Sequence, residues 1–272
     1  MPGTAGQDIL LNLGRMDQWA RQDSPIHRLD ARIKVLTTFL FLVCVVSFPK
    51  YTVSALIPYF LFPFCLMTAA NLPAGPLLKR VLAVSPLAIL AGLWNPLLDR
   101  DILVSVGFLS IGGGWISFCS ILIRFVLTVG SVLILIGSTG LDQVCAALER
   151  LKVPRIFVMQ ILFLYRYLFV LTEEAARMIR ARALRTSNGQ GNGLRSFRGM
   201  AGSLLLRTFG RAERISQAMY CRAFEGRIPT EKPLRIGRRD LLFFAFWTVF
   251  FGLFRWINLT QIWEHFLRGL SG

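Results

Sequence analysis

The chain alternates long uncharged runs with short polar breaks, and the runs are of membrane length. A hydrocarbon core of about 30 Å takes roughly 20 helical residues. Val35–Phe48, extended by the stem of Lys34, Tyr51–Ala70, Val81–Leu98 and Trp115–Ile136 each supply most or all of that. A fifth run begins at Leu241–Leu253 and extends to about Leu259. Pro58 and Pro63 predict a kink or break in the second run, and Asn71–Arg80, with Pro73, Gly75 and Pro76, reads as a loop. Ile102–Gly114 is too short to span and is expected to form a hairpin or an interfacial piece.

The pattern changes after residue 138. Thr139-Gly140-Leu141-Asp142 has the form of a capping box opening a short amphipathic helix, with Val144, Leu148 and Leu151 on one face and Pro154 ending it. From Arg155 the sequence carries no stop signal until Arg185, which predicts a helix about 46 Å long at 1.5 Å per residue. Such a helix exceeds one span and suits a segment that leaves the bilayer or lies along its surface. Two basic stretches, Thr172–Arg185 and Met200–Gly226, flank the soft linker Thr186–Gly193. On the second, Arg207, Arg211, Arg214 and Arg222 fall within about 80° at 100° per residue, beside an apolar edge of Leu205, Phe209, Ala212, Ile215 and Met219.

The fold class expected is therefore an all-α integral membrane protein. About five transmembrane helices would be joined by a cytoplasmic bundle of amphipathic helices. The divisions expected are 1–34, a cytoplasmic N-terminal segment; 35–137, spans one to four; 138–240, the helical cytoplasmic domain; and 241–272, the fifth span and an outer C-terminus.

Composition agrees. Of 272 residues 54% are hydrophobic and 17% charged, against roughly 25% charged in soluble domains, and mean hydropathy is +0.54. The net charge of +16 is concentrated: 19 of 31 Lys and Arg lie between Ser138 and Asp240, against eight Asp and Glu there. Such a block suits an acidic protein surface or anionic lipid better than nucleic acid when it lies between spans. With the N-terminus inside, inner segments hold 26 basic residues and outer segments four, which places the basic helices in the cytoplasm.

Catalytic and metal patterns are absent from the sequence. There is no Gly-x-x-x-x-Gly-Lys-[Ser/Thr] loop for a nucleotide. His27 and His265 are isolated and expected on opposite sides of the membrane, and the five cysteines are scattered, so no metal site is expected. Arg124 lies inside the fourth span and is expected to face protein or to snorkel. A membrane chain without an engine but with a basic helical platform reads as a coupler. A membrane scaffold binding anionic lipid is the alternative.

Several phrases carry a resemblance: Ser24-Pro-x-His27-Arg-Leu-Asp30-x-Arg32-x-Lys34, Leu148-Glu-Arg-Leu-Lys-Val-Pro154, Tyr165-Arg-Tyr-Leu-Phe-Val170 with Glu173-Glu174, and Arg211-Ala-Glu-Arg214 running to Met219 and Arg222. On these the chain resembles the transmembrane T component of energy-coupling factor (ECF) transporters, closest to the cobalt-transport branch, CbiQ. In that family two Ala-Arg-Gly signatures end two coupling helices and dock on ATPase subunits. They fall here on Ala181-Arg182-Ala183 and Cys221-Arg222-Ala223, with Glu173, Arg185, Glu213 and Arg214 supporting. Both arginines are kept, and both glycines are Ala.

The resemblance implies a non-catalytic subunit without a cofactor of its own, in a bacterial or archaeal inner membrane. Its partners would be two CbiO-like ATPases holding ATP and Mg, and a CbiM-like substrate-binding membrane protein with or without a CbiN-like subunit. The cargo implied is cobalt ion, with nickel or a vitamin as alternatives.

The charge split generates a test of topology. A cysteine introduced into Thr186–Gly193 should be shielded from an impermeant thiol reagent in intact cells, and one placed beside Gly272 labelled. Labelling of the linker from outside would reverse the orientation.

Overall fold

The structure is a computed structural model; it describes residues 19, 24, 26–49, 53–98, 102–106, 109–185, 194–224, 226 and 237–256. Expectations for the Thr186–Gly193 linker, His265 and the outer C-terminus fall outside these residues. The helices are α1 (Ala31–Val46), α2 (Leu61–Ala69), α3 (Ala74–Leu98), α4 (Gly113–Thr139), α5 (Leu141–Arg150), α6 (Arg155–Arg185), α7 (Leu194–Cys221) and α8 (Arg238–Trp256). The chain is an all-α membrane protein with one small β-hairpin. Ala74–Trp94, Gly114–Thr139 and Arg155–Arg185 are long and apolar enough to cross a membrane, and shorter apolar helices accompany them.

The break at Pro58 and the hairpin are as expected, and one loop is shorter than expected. Pro58 lies within a 3-10 segment, Ser54–Phe60, that leads directly into α2, so the second run is broken where proline removes a donor. The expected loop at 71–80 shrinks to Asn71–Pro73. Pro76 falls in the first turn of α3, where its missing N–H has no helical partner to lose, and the helix therefore takes in Lys79 and Arg80. β1 (Ile102–Val106) pairs antiparallel with β2 (Leu109–Gly112).

Thr139 is not the start of a capping box. It is the last residue of α4, its hydroxyl is buried without a partner, and Gly140 at φ 78° turns the chain by donating to the Ile136 carbonyl. On α5 the buried residues are Cys145, Ala146 and Ala147, whereas Leu151 of the expected face is exposed.

The described residues divide into two compact units, one within 19–140 and 234–272, the other within 141–233. In the first, α3 and α4 pair most extensively. Gly92 permits their approach, since a β-carbon there would lie 2.8 Å from the Phe118 ring. The core of this unit is aromatic: Phe41, Tyr59, Phe62, Trp247 and Phe251 pack with ring centroids 4.7–6.1 Å apart, and the Tyr59 hydroxyl donates to the Phe251 carbonyl at 3.1 Å. Dispersion between such rings, rather than exclusion of water, holds helices together where the surroundings are themselves apolar.

One carboxylate fastens two helix starts. Asp240, 6% exposed, accepts from the N–H of Gly237 at 2.7 Å, which caps α8, and from the N–H of Asp30 at 3.1 Å. Asp30 in turn caps α1 by accepting from the N–H of Arg32 at 2.9 Å. Near this junction the buried Lys34 donates to the Ser138 carbonyl at the end of α4. His27 is buried too: its Nδ1 lies 2.7 Å from Ser24 Oγ and its Nε2 3.0 Å from the Trp19 carbonyl. The pre-span phrase is thus a built joint, and His27 is part of it rather than an interfacial residue.

Asp240→Ala removes both acceptors, leaves the buried Asp30 N–H without a partner and uncaps α8 at Gly237, a loss of about 2–4 kcal/mol. Asp240→Asn, which keeps one oxygen, should lose about half of that. Thermal unfolding in micelles measures the difference, and an Ala variant as stable as wild type would contradict the joint.

Candidate functional site

The second unit is built on α5, α6 and α7. α6 is one unbroken helix from Arg155 to Arg185, without Gly or Pro. Its first half is apolar and its second half charged, and Val158 is its one fully buried residue among those described. Glu149 of α5 holds Arg155 at its start, at 3.3 Å. Glu174 ties α6 to α7 by accepting from Arg177 at 2.7 Å and from Arg207 at 2.8 Å. Both guanidiniums are more than half exposed, so each pair contributes about 0–1 kcal/mol and sets register more than stability.

The expected site residues fall at the ends of these two helices. Ala181, Ala183 and Arg185 are exposed on the last turns of α6, and Arg182 is half-buried among them. Cys221 is the last residue of α7, with Arg222 and Ala223 in the turn beyond it, and all three are exposed. Glu173, Glu213 and Arg214 are exposed as well. The acid that joins the helices is Glu174, the neighbour of the expected Glu173. Its i, i+3 spacing to Arg177 was the available signal. Among the described residues, the apolar edge of α7 is exposed at Leu205, 56%, and Phe209, 65%.

The two signatures are not equivalent. Beyond α7 the Phe224 N–H donates to the Met219 carbonyl at 3.1 Å and the Ala223 N–H to the Tyr220 carbonyl at 3.0 Å, with Ala223 at φ 49°. This is a Schellman turn, whose left-handed position favours glycine. Arg222 is therefore presented at a capped helix tip, and Ala stands where the family signature has the residue the turn prefers. Ala183, by contrast, lies within α6, where the helix needs no such freedom.

The described residues contain no group of three His, Cys, Asp or Glu side chains placed to hold a metal ion. Burial, assisted by Asp142, pushes the Cys145 thiol up to about 11 and keeps it protonated, whereas Cys221 is exposed.

An apolar helical unit joined in sequence to a basic pair of helices defines a membrane protein that works through partners. Residues 22–234 match the family described as cobalt transport protein, CbiQ. The chain belongs to that family and is a transmembrane component of an ECF transporter. It is 26% identical over 261 residues to the energy-coupling factor transporter transmembrane protein EcfT of Ruminiclostridium cellulolyticum, covering 90% of this chain and 96% of the relative. Against EcfT of Bacillus subtilis identity is 27%, covering 75% and 82%. Against the cobalt transport protein CbiQ of Salmonella typhimurium it is 30%, over 38% of this chain and 46% of the relative.

The left-handed residue yields a paired prediction. Ala223→Gly should stabilise the end of α7 by about 0.5–1 kcal/mol, because a β-carbon is strained at positive φ. Ala183→Gly should destabilise α6 by up to about 1 kcal/mol. Amide hydrogen exchange at each helix end reads the two signs; the same sign at both would deny the difference.

Proposed function

We propose that this chain is the non-catalytic coupling subunit of its transporter, carrying ATP-driven movement from two cytoplasmic ATPase subunits to a separate substrate-binding membrane protein. The observation that carries this is the exposed Arg222, held at the end of α7 by a defined turn, together with Arg182 near the end of α6. A guanidinium at a helix tip suits a carboxylate in a partner's groove through bidentate pairing, which a flexible ammonium does not reproduce. In this reading ATP and Mg belong to CbiO-like partners, two copies of which take one signature each. The N-terminal segment and residues 138–240 lie in the cytoplasm, as the distribution of basic residues supports.

Cobalt ion is the cargo we assign, supported by the Tyr165-Arg166-Tyr167 phrase and by the Salmonella relative named a cobalt transport protein. A relative from Methanocorpusculum labreanum is named a putative fused cobalt transport protein CbiMQ, which supports a CbiM-like partner for this chain. The relatives named EcfT match over more of the chain, so nickel and vitamin uptake belong beside cobalt in the assay.

Removing one partner of a desolvated charge pair costs about 2–5 kcal/mol, or roughly 30- to several-thousand-fold in affinity. Two docking points act bivalently, so one survivor still holds the complex. Arg182→Ala or Arg222→Ala should impair transport with partial assembly, and the double variant should lose the ATPases. Retention of ATPase on the tagged chain, with ATP-dependent cobalt uptake at fixed salt, measures this. A double variant that binds and transports like wild type would end the proposal.

A further inference from the structure

Between α6 and α7 lies a groove of about 360 Å3, lined by Leu171, Glu174, Leu204, Arg207, Arg211 and Arg214 among others. Glu174 is the single acid of its lining, and its carboxylate already accepts from Arg177 and Arg207. Arg211 and Arg214, on the same stripe of α7, add two positive charges that no other acid of the lining answers. The groove is therefore a concentration of positive charge fixed on two helices.

Its surroundings are apolar. Leu171, Leu204 and Leu206 also line the groove, and Leu206 is 75% exposed. Along α6 the groove falls at the change of composition: Ile156–Leu171 carries Arg166 as its one charge, and Glu173-Glu174 begin the charged half. Cationic floor and apolar flank thus meet where the apolar half of α6 ends. A soluble anion would use the arginines and leave the exposed leucines uncovered. An amphiphile with a phosphate and acyl chains would satisfy both.

We propose that this groove binds the headgroup of an anionic phospholipid, with Arg211 and Arg214 holding the phosphate and Leu171, Leu204 and Leu206, which share its lining, lying against the chains. Guanidinium forks match phosphate oxygens in geometry, and basic pockets beside a bilayer draw anionic lipid by charge. Arg182 and Arg222 are not in the lining, and because Arg214 is also among the residues expected to support ATPase docking, lipid binding is read on the isolated chain, without ATPases.

The test uses the purified full chain in neutral detergent, titrated with phosphatidylglycerol or phosphatidylcholine and read by native mass spectrometry. Phosphatidylglycerol should bind in preference. Arg211→Gln with Arg214→Gln should weaken it by roughly ten- to thirtyfold, at unchanged melting temperature and without effect on phosphatidylcholine. Lysine at both positions keeps the charge without the fork and should bind between the wild type and the double Gln variant. Arg198→Gln, on the opposite side of α7 at 100° per residue, should change nothing. Equal retention of the two lipids, indifference to the double Gln variant, binding by the Lys pair no better than by the Gln pair or displacement by millimolar inorganic phosphate would each overturn the proposal, the last by pointing to a soluble anion.

Discussion

Backbone polar groups must be satisfied even where no water can reach them, and this requirement organises the molecule. Inside α3, Pro86 cannot donate to the Leu82 carbonyl, and the Ser85 hydroxyl donates to it instead, at 2.8 Å. At the far end of α1 two arginines from other helices serve the same need. Arg124 of α4 donates to the Pro49 carbonyl, and Arg255 of α8 donates to the Ser47 carbonyl and hydroxyl while covering the Phe48 ring. Arg124 is thus a helix-end ligand, which accounts for an arginine within an apolar run. Its cost is offset by that hydrogen bond and by its place near the C-terminal end of a helix, which favours a cation.

The same requirement explains why four helices stop where they do. α2, α5 and α7 end in Schellman turns at Asn71, Lys152 and Ala223, and α4 ends at Gly140. Asparagine and glycine adopt the left-handed conformation readily; lysine and alanine do not. Tertiary context therefore imposes two of the four, and the residue types at Lys152 and Ala223 do not mark a helix end.

What was legible in the sequence was whatever has a period or a length. The apolar runs and the extent of α6 from Arg155 to Arg185 follow from hydrophobicity and from the absence of Gly and Pro. What was not legible depends on residues far apart in sequence. Asp240 is separated by 210 positions from the Asp30 N–H it accepts, and nothing local to either distinguishes it from an ordinary first-turn acid. His27 looked isolated because its partners, Ser24 and the Trp19 backbone, are a hydroxyl and a carbonyl, which carry no motif. At the site, the arginines of the signatures were visible as residues. The strain at Ala223 was not, since it is a property of the turn.

The two long helices of the second unit also differ mechanically. α6 has thirty-one residues with neither glycine nor proline, whereas α7 contains Gly199, Gly202 and Gly210 within twenty-eight. Bending stiffness in a helix resides in its side-chain crowding and its unbroken ladder, and glycine relieves both. A push at the Arg185 end of α6 therefore travels its length as the displacement of a rod, while a push at the tip of α7 is partly absorbed as flexure. Under the proposed coupling role, two arms of unequal compliance turn the same stroke into a tilt.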